Sequence, residues 1–148
     1  LSLVKPPHRT RLADLQAICA ANYARFLQVF PGYEQYNRRE FAVGEARVVM
    51  EVQERSRYTT IFQVWQHSDG AEWLGTLRAE LRAYHDARLL EVGTFQHCRR
   101  VRARYAYPNP EMHQPDEKFQ QNRFIGDWLA HCLQRGRAQV LPRLVRDQ

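Results

Sequence analysis

The period of the apolar residues changes twice along this chain, and those changes limit its fold more than any motif does. Leu12, Leu15, Cys19, Asn22, Phe26 and Phe30 recur every three to four positions, with Ile18 and Leu27 widening the stripe. This is one face of an amphipathic helix over about 11–30, capped by Thr10 and stopped by Pro31-Gly32. Residues 33–41 (YEQYNRREF) read as a polar connection. From Val43 the period becomes two. Val48, Met50 and Val52 alternate with Arg47, Val49, Glu51 and Gln53, as in a half-buried strand. After a turn at Glu54–Ser56, the segment Tyr58–Gln66 is rich in β-branched and aromatic residues and reads as the second arm of a hairpin. Ser68-Asp69-Gly70 signals another turn.

Leu77, Ala79, Leu81 and Ala83 then oppose Arg78, Glu80, Arg82 and Tyr84. Strict alternation favours a strand here, although Leu, Ala, Arg and Glu all suit a helix. His85-Asp86 is the next turn, Arg88–Phe95 a fourth strand, and Arg100, Arg102 and Arg104 alternating with Val101, Ala103 and Tyr105 a fifth. Tyr107–Pro110 is loop. Pro115, Asp116 and Glu117 suit a helix N-terminus, and Phe119, Asn122, Ile125, Gly126, Leu129, Cys132 and Leu133 carry the apolar stripe over about 115–135, with Trp128 beside it. Gly136 stops this helix, and a basic tail follows over 137–148.

The order predicts one α+β domain over 1–148, long enough for a sizeable core. Its antiparallel sheet, over about 43–105, has about five meandering strands covered on one face by the N-terminal and C-terminal helices. The bare face is then polar and Arg-rich. Formal charge is +6, from 22 basic and 16 acidic residues, and Lys5 and Lys118 are the only lysines. The arginine fork suits phosphate and carboxylate. No apolar run approaches the roughly 20 residues that cross a bilayer, and Leu1–Pro7 lacks the apolar core of a signal peptide. Cys19, Cys98 and Cys132 are too scattered for a disulfide framework or a zinc site, which predicts reduced thiols in a cytoplasmic protein. His97-Cys98 and His131-Cys132 likewise lack metal-ligand spacing. No metal and no cofactor is therefore expected.

Arg57-Tyr-Thr-Thr60, Tyr84-His-Asp-Ala87 and Arg104-Tyr105 resemble the YqiB-like family of small proteobacterial proteins. So do Tyr107-Pro-Asn109, His113-Gln114, Asp116-Glu-Lys118, Asn122 and Asp127-Trp-Leu129, and the resemblance covers about residues 12–141. It implies a bacterial cytoplasmic protein of unknown function, with no catalytic residues to carry over. A dehydrogenase label given to some members has no counterpart here, since G-x-G-x-x-G and βαβ alternation are both missing.

Two places stand out as sites. One is the Arg face, where Arg78, Arg82 and Tyr84 of one strand and Arg100, Arg102 and Arg104 of another, with Tyr105, Tyr107 and Asn109 beyond, form a candidate surface for an anionic ligand, an RNA or a protein. A solvated face, ion-paired through Glu51, Glu80 and Glu91, accounts for the same pattern. The other is a set of acid–base groups, His85, Asp86, His113, Asp116 and Glu117, which would serve a small enzyme acting on a phosphorylated or nucleotide substrate. Turn and helix-cap roles explain these residues equally. Because no catalytic constellation is complete, a non-catalytic binding or regulatory domain is the favoured reading over an enzyme. A structural subunit with an apolar patch at Trp65, Trp73 and Phe95 is the third reading.

Overall fold

The computed structural model describes residues 8–68, 76–98, 117–136 and 143–146. Helix α1 (His8–Val29) leads into β1 (Tyr36–Val43), β2 (Ala46–Arg55), β3 (Thr59–Ser68), β4 (Thr76–Tyr84) and β5 (Leu89–Cys98). Helix α2 (Glu117–His131) ends in a π-helical turn, Cys132–Gly136, and Arg143–Arg146 forms β6. All neighbouring strands are antiparallel, in the order β5-β4-β3-β2-β1-β6. The α+β architecture read from the sequence is the one observed.

Residues 36–41, expected as part of a polar connection, instead belong to β1, so the sheet begins well before Val43. The segment reads as polar because its two faces each carry charge. Arg38 and Glu40 point outward and pair there, while Arg39 points inward with Phe41 and Val43. Gly44, at φ 64°, supplies the positive φ that the two-residue β1–β2 hairpin needs. At the far end, Arg143–Arg146 of the basic tail adds a short strand to β1. The expected strand at Arg100–Tyr105 lies outside the described residues.

Alternation places Val48 and Met50 of β2, Phe62 and Val64 of β3, Leu77–Ala83 of β4 at every second residue, and Leu90 and Val92 of β5 on one buried face. Both helices cover that face. From α1 it receives Phe26 and Phe30, whose rings lie 4.4 and 5.9 Å from that of Phe62. From α2 it receives Ile125, Trp128 and Leu129. The α1 stripe starts at Leu15, because Leu12 is 57% exposed and precedes the packed turns. Burial of this apolar surface is the main force holding the layers together.

Polar groups inside the core are specific fasteners. Trp128 Nε1–H donates to Gln66 Oε1 at 2.8 Å. Asn122 accepts the Val92 backbone N–H at Oδ1 (3.0 Å) and donates from Nδ2 to Lys118 O (2.8 Å). Asn22 Nδ2 donates to Asn122 O (2.9 Å), and the Lys118 ammonium donates to Val92 O (2.8 Å). Helix α2 thereby satisfies both main-chain groups of Val92 on an edge strand, where they would otherwise invite a foreign strand. Gly126 allows the close approach, since a Cβ there would sit 2.7 Å from Asn22 Oδ1. Among the described residues, no helix is long and apolar enough to cross a membrane.

Candidate functional site

Three connections meet at one end of the sheet: α1–β1, β2–β3 and β4–β5. Arg55 Nη2 donates to Tyr33 O (2.7 Å) and Tyr36 O (3.1 Å), drawing the first connection onto β2. The β2–β3 turn closes through Ser56 N–H to Thr59 O (2.7 Å), and His85 N–H donates to Tyr58 O (2.8 Å), joining it to the β4–β5 turn. Arg88 completes that turn in the left-handed region at φ 57°.

The His85 ring fills the space between these connections. Its Nδ1 is hydrogen-bonded to Tyr23 OH on α1 (3.0 Å) and lies 3.4 Å from Tyr33 OH, while Nε2 is hydrogen-bonded to Thr60 Oγ1 on β3 (2.8 Å). Tyr33 stacks on the ring at 5.4 Å and 7°, and Tyr23 meets it edge-on at 5.8 Å. Burial lowers the His85 pKa below the ordinary histidine value, against an upward pull from Glu34 and Asp86, so the neutral ring prevails at pH 7. A neutral imidazole has one donor and one acceptor nitrogen, and the hydroxyls complement either assignment. Burial, with Glu34 and Tyr23 acting in the same direction, pushes the Tyr33 hydroxyl up, so it stays protonated. Both ring nitrogens are therefore spent on α1 and β3, and Asp86 is exposed in the turn. This His is a clamp between elements.

On the bare face, cross-strand rows set the chemistry. Arg38 pairs with Glu40 (2.6 Å) and with Glu51, and Arg47 approaches Glu40 (3.6 Å). Arg82 approaches Glu80 (3.5 Å), and Tyr84 and Glu80 together raise its pKa. Gly93 on β5 leaves room for the Glu80 carboxylate, which a Cβ would strike. Lys118 reaches Glu91 at 3.3 Å. Arg78 lies 5.6 Å over the Trp65 ring. Arg78 and Arg82 do share a face with Glu80 between them, but arginines and glutamates there are interleaved, so the described part is charge-balanced.

Arg100, Arg102, Arg104, Tyr105, Tyr107, Asn109, His113 and Asp116 fall outside the described residues. Glu117 opens α2 and accepts from Gln121 Nε2 (3.3 Å), a position its carboxylate shares with the helix dipole. Trp65 lies on the bare face, whereas Phe95 turns to the helix side, 5.4 Å from Phe124, so these two do not form one patch. Burial raises the Cys19 thiol to about 11 and pushes Cys132 up as well, which makes both poor nucleophiles. Among the described residues, no three His, Cys, Asp or Glu side chains gather to hold a metal ion.

Sequence reasoning missed Tyr23, Tyr33 and Thr60 as partners of His85. A signal was present in part: Arg57–Thr60 and Tyr84–Ala87, both quoted for the family resemblance, meet at this clamp. Residues 25–138 match the family described as Protein of unknown function (DUF1249). The chain belongs to that family. It is similar to Uncharacterized protein YqiB of Escherichia coli K12, at 32% identity over 130 residues, covering 87% of this chain and 92% of that protein. The YqiB proteins of Escherichia coli O6:H1 and O157:H7 match at the same identity and coverage. No solved structure matches the chain.

Proposed function

We propose that this chain is a non-catalytic binding domain that recognises an acidic surface of a protein partner through the end of the sheet held by His85. One observation carries this reading. Tyr58 is 53% exposed, and the Arg57 guanidinium lies 5.2 Å from its ring, in a turn pinned by the His85 clamp. Tyr and Arg are the residues that most often dominate protein interfaces, and a pre-set turn loses little entropy on binding. Arg82 and Tyr84 extend this surface onto the bare face.

A protein partner suits the charge pattern better than a nucleic acid. Interleaved glutamates on the described face repel a continuous row of phosphates, whose binding rests on unopposed positive charge. Arg78 and, beyond the described residues, Arg100, Arg102, Arg104, Tyr105, Tyr107 and Asn109 are proposed as further contacts. An enzyme is disfavoured because the ring nitrogens of His85 are occupied by hydroxyls within the fold. We place the activity in the cytoplasm, in keeping with the buried free thiols of Cys19 and Cys132.

A photo-crosslinking amino acid at position 58 tests the reading in cells. It should capture one discrete acidic protein, in competition with unmodified chain, and Arg57→Ala should cut the yield several-fold. The same probe at exposed Leu12 should capture none. If a folded Arg57→Ala/Tyr58→Ala variant keeps every interaction of the wild type, the reading fails.

A further inference from the structure

Arg39 carries an observation that the outer surface does not explain. It points to the helix side of β1, is 7% exposed, and its Nε and Nη1 donors are buried with no hydrogen-bond partner among the described residues. Two residues earlier on β1, roughly 7 Å along the strand, Asn37 Oδ1 is a buried acceptor with no partner among the described residues. The nearby carboxylates are committed elsewhere, since Glu40 and Glu51 face outward and bind Arg38. Burial, with no offsetting charge, lowers the Arg39 pKa to about 10, so the guanidinium is charged at neutral pH.

The surroundings are built to hold this group in place. The Phe41 ring lies 5.4 Å from Arg39 Cζ, a cation–π contact that orients the guanidinium without using its donors. Asn37 sits in a β-bulge, where β1 slips register against β6 between Tyr36 and Arg38. A second bulge lies opposite on β2, between Val52 and Glu54. Bulges interrupt regular pairing and are common beside binding sites. Buried donors and acceptors left unmatched inside a fold call for a complementary group.

The geometry points to Arg39 and Asn37 as a binding site for a small oxyanion that also carries a hydroxyl, the chemistry shared by dihydrogen phosphate, phosphate monoesters and hydroxycarboxylates. The oxyanion receives the Arg39 N–H groups and the hydroxyl donates to Asn37 Oδ1. This site lies on the opposite side of β1 from the Arg38 pairs and stands independently of the proposed protein-binding surface.

The test is thermal unfolding of the full chain, titrated with inorganic phosphate, glycolate, acetate or chloride at matched ionic strength. Phosphate or glycolate should raise the melting temperature saturably, by linkage, while chloride does not. Phosphate and glycolate separate the two ligand sources, and acetate reports the anion without the hydroxyl. Arg39→Met should abolish the response, and Asn37→Ala should weaken phosphate or glycolate at least tenfold while sparing acetate. An Arg78→Ala control should respond like the wild type. If no oxyanion stabilises the wild type beyond chloride, or if Arg39→Met responds as the wild type does, the site is refuted. Should Arg39→Met not fold, Asn37→Ala and the wild-type titrations decide alone.

Discussion

Replacing His85 by Phe tests the clamp, because Phe keeps a flat, slightly larger ring against Tyr33 and removes both hydrogen-bonding nitrogens. Two hydrogen bonds are lost, to Tyr23 and to Thr60, each worth roughly 0.5–1.5 kcal/mol. Thr60 is only 3% exposed, so its hydroxyl is left without solvent, at a further cost of about 1–3 kcal/mol. These contributions overlap, and the expected loss is about 2–4 kcal/mol, or a melting temperature lower by about 10 °C. Urea unfolding between pH 5 and 7.5 adds a readout of protonation. Burial holds the folded-state pKa of His85 below its unfolded value of about 6.5. Its contribution is complete above that value and is lost as pH falls through the folded-state pKa, because the unfolded chain then binds the extra proton. The gap between wild type and His85→Phe should therefore narrow towards pH 5. A loss under about 0.5 kcal/mol, or a gap that is constant or widens in acid, would refute the clamp.

Asn122→Ala should cost about 2–4 kcal/mol, since it strands the Val92 N–H at the sheet edge. Hydrogen exchange at the Val92 amide should quicken well beyond that of β3 amides, and equal protection in both chains would count against the fastener. Gly126→Ala, which in an ordinary helix gains up to about 1 kcal/mol, should here destabilise because its Cβ meets Asn22 Oδ1. Chemical denaturation in an Asn22→Ala background should restore the gain. Arg88→Gly should stabilise by about 0.5–1 kcal/mol by relieving the left-handed backbone of the β4–β5 turn, readable as a higher urea midpoint.

Local periodicity determined most of the architecture in advance. Ala, Leu and Arg at Thr76–Tyr84 suit a helix, yet their alternation marks a strand, because one sheet face must be apolar along its length. The same rule concealed β1. Its inward face carries Arg39 and its outward face Arg38 and Glu40, so no apolar alternation survives until pairing with β2 is in place. The clamp was legible only as separate short segments. His85, Tyr23, Tyr33 and Thr60 are brought together by α1 lying across the sheet end, a contact between residues up to 62 positions apart. The bare face shows a similar division. Alternation already placed Glu80 between Arg78 and Arg82 on one face, but only strand order and register set Glu91 opposite Arg82 and Glu51 opposite Arg38. One-dimensional spacing governs which way a side chain faces, while its partners depend on elements that meet only after the chain has closed on itself.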